Sequence, residues 1–171
     1  MQISEPKYYN FPAGFEEMHE LKEIILTDFS PEAFEIMLKR IPDDNRIEYF
    51  RWSNSVIRSV PVSISKLKNL KKINFSGDTL LQFLPDEIGD LNNLEMIDLS
   101  RCGFIEFPQI LFRLRKLELV NLSSNKINNI GCTFENTTIK RIGLFGNPLS
   151  AESRKMIGAT VPSTTKVVYP R

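Results

Sequence analysis

The amino-acid sequence predicts an α/β solenoid, with a curved parallel β-sheet on the concave face and short helical, 3-10 and proline-led segments on the convex face. Three observations predict it. One apolar phrase returns five times: Ile47-Glu-Tyr-Phe50-Arg-Trp52, Leu70-Lys-Lys-Ile73-Asn-Phe75, Leu94-Glu-Met-Ile97-Asp-Leu99, Leu117-Glu-Leu-Val120-Asn-Leu122 and Ile139-Lys-Arg-Ile142-Gly-Leu144. Its starts, at 47, 70, 94, 117 and 139, are separated by 23, 24, 23 and 22 residues. A second phrase keeps register with the first: Val60-Pro61-x-x-Ile64-x-x-Leu67, Leu84-Pro85-x-x-Ile88-x-x-Leu91 and Phe107-Pro108-x-x-Leu111-x-x-Leu114.

Each phrase has a physical reading. Alternation at Ile73 and Phe75, Ile97 and Leu99, or Val120 and Leu122 makes a strand with one buried face. Apolar residues every three positions make a single tight helical turn, and a proline at its start costs no hydrogen bond. Neither a lone strand nor a lone turn can bury its own apolar side. The units therefore stack into a parallel sheet over a shared core.

The paired phrases resemble the leucine-rich-repeat family, whose pattern is L-x-x-L-x-L-x-x-N-x-L followed by x-x-L-P-x-x-I-x-x-L; the type is the intracellular or bacterial one of about 23 residues. Leu84-Pro-Asp-Glu-Ile-Gly-Asp-Leu-Asn-Asn-Leu-Glu-Met-Ile-Asp-Leu-Ser100 is a close match. The resemblance implies the fold strongly and the function weakly. It also implies a ladder of asparagines that bond to backbone in the bend after each strand. Here the ladder is broken: it reads Ser55, then a Gly77-Asp78-Thr79 stretch displaced by an inserted residue, then Cys102, Asn125 and Asn147. The last convex segment, Ile130-Gly-Cys-Thr-Phe134, lacks its proline and is one residue short.

Residues 1–171 read as a single domain, with residues 1–20 as an N-terminal half-repeat, units at 21–46, 47–69, 70–93, 94–116 and 117–138, and a last repeat with C-terminal cap at 139–171. The half-repeat, Phe11-Pro12-x-x-Phe15-x-x-Met18-x-x-Leu21, has no strand phrase before it. Leu21-Lys-Glu-Ile24-Ile-Leu26 opens the first full unit. Its back reads as a helix: Ser30 as N-cap, Pro31 next, apolar Phe34, Met37, Leu38 and Ile41, then Pro42, with Phe29 and Phe34 at staple spacing. Beyond Gly146-Asn-Pro-Leu-Ser150 a helix runs to about Ala159, and Val167-Val-Tyr169 forms a last edge strand.

Bulk properties narrow the function classes. With 42% hydrophobic and 25% charged residues and a net charge of +1, the chain is an ordinary folded protein without a field to draw in nucleic acid or an anionic membrane. Its start lacks the basic and apolar runs of a secretory leader, and no apolar stretch approaches the roughly 20 residues that span a bilayer. The expected location is the cytoplasm, or secretion as a bacterial effector. Two cysteines make no disulfide framework.

Candidate chemistry is sparse. His19 is the one histidine and reads as a surface residue, because a catalytic base needs a nucleophile and an orienting acid around it. Cys102 and Cys132 have no zinc spacing, and Cys102 reads as a buried structural thiol. Gly143-Leu-Phe-Gly146 lies inside a repeat and is no phosphate loop. Lys66, Lys68, Lys71, Lys72, Arg113, Arg115 and Lys116 lie on loops entering strands, where Asp86, Glu87, Asp90 and Glu95 interrupt any nucleic-acid stripe. Neither catalysis, cofactor, metal nor small-molecule substrate is expected.

The concave face is where the sequence is free to vary. Its outward columns read Glu23, Tyr49, Lys72, Met96, Leu119, Arg141; then Ile25, Arg51, Asn74, Asp98, Asn121, Gly143; then Thr27, Ser53, Ser76, Ser100, Ser123, Phe145. Tyr49, Arg51, Lys72, Asn74, Met96, Asp98, Leu119, Asn121, Arg141 and Phe145 are the candidate partner-binding residues, since aromatic, arginine and apolar side chains on a rigid sheet are the types that anchor interfaces. Six strands of four residues present roughly 300 Å², against about 800 Å² per partner in a standard interface. The loops beside the sheet, or the helix at 31–41, must add area. The expectation is a monomeric, non-catalytic module binding a protein: an adaptor, regulator, immunity-type inhibitor or effector. The alternatives are a targeting or substrate-recognition domain of a larger enzyme and, less favoured, nucleic-acid binding through the basic loops.

Overall fold

Each apolar phrase delivers a strand in the computed structural model, which describes residues 2–4, 14, 17–27, 30–135 and 137–169. The strands are β1 (Gln2–Ser4), β2 (Glu23–Thr27), β3 (Tyr49–Ser53), β4 (Lys72–Asn74), β5 (Met96–Asp98), β6 (Leu119–Asn121), β7 (Arg141–Gly143) and β8 (Lys166–Val168). They form one eight-stranded sheet in chain order, every neighbouring pair parallel. Ile73, Ile97, Val120 and Ile142 pair in register. Together with Phe50, Trp52, Phe75, Leu99, Leu122 and Leu144 they form the buried side.

On the convex side, 3-10 turns run over Val62–Lys66, Asp86–Asp90 and Gln109–Arg113, led by Pro61, Pro85 and Pro108 at their N-caps. Each turn aims one large apolar side chain inward: Ile64, Ile88 and Leu111. The proline-less segment 130–134 forms no helical turn, and helix α2 (Ala151–Thr160) covers it instead. Ser150 caps α2 by accepting from Ser153 N at 3.1 Å. Ser153 Oγ and Thr160 Oγ1 then accept from Ile130 N and Phe134 N.

The first unit's back is helix α1 (Pro31–Arg40), capped by Ser30 Oγ accepting from Ala33 N at 3.2 Å. Ala33, Phe34, Met37 and Leu38 are buried. Phe34 packs at 5.2 Å from Phe50 and 4.2 Å from Trp52, ring centre to ring centre. The staple partner Phe29, and most of the half-repeat with Phe11, Pro12 and Phe15, lie outside the described residues. Among the described residues no helix is long and apolar enough to cross a membrane.

Two sequence expectations are corrected. A strand does precede the half-repeat: β1 pairs with β2 through Gln2↔Ile25, Ile3↔Leu26 and Ser4↔Thr27. Gln2-Ile-Ser lacks the leucine phrase, and its pairing follows from the free edge that β2 offers rather than from its own pattern. The inserted residue, moreover, does not displace the ladder. Asp78 stands three residues after Phe75, as Asn125 stands three after Leu122. The extra residue follows it, so that Leu81 takes the buried place that Phe104 fills one unit later.

The bends after β3, β4, β5, β6 and β7 are built alike. Asn54, Gly77, Arg101, Ser124 and Gly146 all have φ between 57° and 86°, one left-handed residue per unit. At Gly77, with φ 86°, a Cβ would be strained and would press on the Asn54 side-chain oxygen. The ladder residue comes next. Asn125 Oδ1 accepts from Phe104 N at 3.1 Å, while its Nδ2 donates to Leu99 O and Leu122 O at 2.8 and 2.9 Å. Asn147 repeats this with Ile127 N, Leu122 O and Leu144 O. Cys102 Sγ donates to Phe75 O at 3.2 Å, and burial pushes its thiol pKa up to about 12.

These contacts rank substitutions. Asn125→Ala leaves buried amide and carbonyl groups unpaired and costs about 1–3 kcal/mol by denaturant titration. Cys102→Ser is expected to cost less, because a serine already stands at the equivalent position 55. Gly77→Ala destabilises through strain, whereas Gly158→Ala, in α2 with open space around it, stabilises by about 0.5–1 kcal/mol.

Candidate functional site

Strand alternation that buries one column must expose the next, and parallel register aligns the exposed columns into rows. One row runs Tyr49, Lys72, Met96, Leu119, Arg141 and on to Lys166. The next runs Arg51, Asn74, Asp98, Asn121, Gly143 and Val168. The sheet thus brings nine of the ten sequence-selected residues onto one surface, and Phe145 sits just past the end of β7. Lys72, Leu119, Arg141 and Phe145 are exposed, Phe145 at 59%. Tyr49, Arg51, Asn74, Met96, Asp98 and Asn121 are half-buried.

The two rows differ chemically. In the second row, Asn74, Asp98 and Asn121 accept from Ser76 N, Ser100 N and Ser123 N at 2.9, 2.9 and 3.1 Å. These are strand-ending turns, in which a short polar side chain bonds the backbone two residues on. Asn121 Nδ2 also donates to Asp98 Oδ2 at 3.2 Å, and Arg51 Nε donates to Ser53 Oγ. Part of this row's hydrogen-bonding capacity therefore serves the fold. The first row has no such duty, and Tyr49, Lys72, Asn74 and Met96 border a depression of about 480 Å³.

A second surface escaped sequence reasoning. On the loops that leave the sheet, Val56, Phe83 and Ile105 are 77%, 64% and 50% exposed. Phe83 and Ile105 border a groove of about 370 Å³ with Leu84, Phe107 and Pro108. The signal for Phe83 lay in the residue inserted after Asp78, which shifts the phase of the loop.

The remaining candidates have local partners. His19 Nδ1 lies 2.8 Å from the exposed Asp44. Lys71 pairs with Glu48, Arg113 with Asp90 and Lys66 with Asp43, at 2.8, 3.1 and 3.4 Å. Lys116 Nζ donates to Asn93 Oδ1 at 2.8 Å. The Lys71 hydrogen bond holds Glu48 below the usual carboxylate range. Burial pushes the Cys132 thiol up to about 11. Among the described residues no three His, Cys, Asp or Glu side chains gather as a metal would need.

No family model matches the chain. Over 66 residues it is 39% identical to TMV resistance protein N of Nicotiana glutinosa, a match covering 39% of this chain and 6% of that protein. Over 96 residues it is 40% identical to Receptor like protein 27 of Arabidopsis thaliana, covering 52% of this chain and 12% of that one. A solved structure of an LRR protein from Leptospira interrogans superposes with a TM-score of 0.70 at 24% identity, over 94% of this chain and 40% of that chain. The matched stretch is thus a small part of each of these curated relatives.

The division between the rows is testable by thermal melting. Leu119→Ala shifts the melting temperature by no more than about 2 °C, as surface changes do. Asn121→Ala loses a strand-ending bond and costs about 1 kcal/mol.

Proposed function

We propose that this chain, whose fold is that of a leucine-rich-repeat protein, works as a non-catalytic module that holds a protein partner on its concave sheet and on the loops leaving that sheet. The observation that carries the reading is the first row. Tyr49, Lys72, Met96, Leu119 and Arg141 lie side by side on a rigid parallel sheet, and among the described residues no hydrogen bond or ion pair engages their side chains in the fold. Apolar, aromatic and arginine side chains presented together by a rigid sheet are the types that anchor interfaces. The leucine-rich-repeat relatives fit an interaction module in general. In this proposal the ligand is a protein, and the chain acts as a monomer in the cytoplasm.

A second reading, a recognition domain of a larger protein, is favoured by the small share of each curated relative that the match covers. The length of the natural open reading frame separates the two.

Stability in a solenoid rests on inward positions, so outward ones are free to bind. Tyr49→Ala, Arg51→Ala, Leu119→Ala and Phe145→Ala therefore leave the melting temperature within a few degrees. At least one weakens the physiological partner by more than about 1 kcal/mol, measured by calorimetry on a partner captured from the native organism. If all four bind like wild type while substitutions in α1 abolish binding, recognition belongs to the convex side.

A further inference from the structure

The ladder has one member whose chemistry is wrong for its place. Asn125 and Asn147 each offer a carbonyl oxygen to a backbone amide and an amide nitrogen to two carbonyls, one three residues back and one in the preceding unit. By the same spacing, the carbonyls that correspond for Asp78 are Phe75 O and Trp52 O. Asp78 Oδ1 accepts from Ser55 N at 2.5 Å. A carboxylate has no donor to give the carbonyls, so among the described residues Phe75 O keeps only the bond from the next unit, Cys102 Sγ, where Leu122 O has one from its own ladder residue and one from the next. Asp78 is 0% exposed, and among the described residues no hydrogen bond reaches its Oδ2 or Ser55 Oγ, which stands at the equivalent place one unit earlier.

We propose that Asp78 is a proton-operated joint in the inner bend: protonated, it supplies the donor that asparagine supplies elsewhere in the ladder; ionised, it strands a charge in the core and loosens the loop that follows. That loop is the irregular one. It carries the inserted residue and the exposed Phe83, and Leu81 N donates to Asp78 O at 2.8 Å. It also lies hard against Gly103, where a Cβ would meet Thr79 O at 2.7 Å. Loosening it would change the groove between Phe83 and Ile105. The titratable neighbours are few: the Cys102 thiol packs against Asp78 from the next unit, with Asp98 acting on that thiol in turn. Burial and then the two acids raise the thiol, so it stays neutral and puts no second negative charge beside Asp78.

Burial raises the Asp78 carboxyl from its ordinary 3.8 to about 7, against a smaller opposing effect of the Ser55 amide. Below about pH 4 folded and unfolded chains both hold the proton, and the joint costs nothing. Between about 4 and 7 the unfolded chain releases its proton while the folded chain keeps it, so stability falls as pH rises. Above about 7 the loss is complete.

The test compares wild type with Asp78→Asn, which restores the family's ladder residue and removes one titrating group while leaving every other in common. Thermal melts at pH 4, 6 and 8 should show nearly equal melting temperatures at pH 4 and a gap of several degrees in favour of Asp78→Asn at pH 8. The Asp78 side-chain carboxyl, followed by carbon NMR in the wild type, should titrate near 7, with the Leu81 amide exchanging faster above that pH. A gap that does not change with pH, a less stable Asp78→Asn at pH 8, or a carboxyl titrating near 4 would each overturn the proposal.

Discussion

Each unit must turn its chain from the concave strand to the convex return, and just past the turn residue the chain dives into the core at 78, 102, 125 or 147. An unpaired buried amide or carbonyl there costs about 1–3 kcal/mol, and the bend recurs from unit to unit, so the stability of the fold depends on satisfying it. Three devices do this together. A left-handed residue at 54, 77, 101, 124 and 146 reverses the chain. An Asx-type bond from Asn74, Asp98 or Asn121 ends the strand before it. A side chain at 102, 125 or 147 then ties the bend to its own strand end or to the one before, while Asp78 ties it to the preceding bend at Ser55. Curvature, strand register and the flat concave face all follow from repeating this joint.

Packing supports the joint from behind. Phe34 on α1 closes onto Phe50 and Trp52, and Phe50 in turn meets Phe75 edge-on at 6.0 Å. At the other end Phe107, Phe112 and Phe134 cluster with ring centres 5.2 to 5.6 Å apart. That cluster fills the volume behind the proline-less segment, which α2 then covers. A solenoid needs such closures, because a unit with no neighbour exposes apolar surface on its open side.

Much of this was legible in the sequence. Strands, 3-10 turns and both helices follow from apolar spacing, from prolines at 61, 85 and 108, and from Ser30-Pro31 and Ser150 as caps, all of which are local signals. What escaped was non-local. β1 is a strand because of the edge it meets. The true place of Asp78 in the ladder depends on which side of it the extra residue falls, and only Leu81's burial decides that. Of the concave columns, periodicity placed each residue on the correct side of the strand. It could not tell Leu119, free toward solvent, from Asn121, half-spent on the backbone of Ser123. The exposed Phe83 and Ile105 had no periodic signature at all, since loops leaving the sheet keep no strict pattern.

A surface built this way is rigid where the joint is complete and softer where it is not. The complete joints are at Asn125 and Asn147, which anchor the amides of Phe104 and Ile127. Native-state hydrogen exchange of those two amides tests the central claim most directly. If the ladder holds the fold, both exchange only with global unfolding, as slowly as the core strand amides of Leu99 and Leu122. Exchange at loop rates while those strand amides stay protected would contradict it.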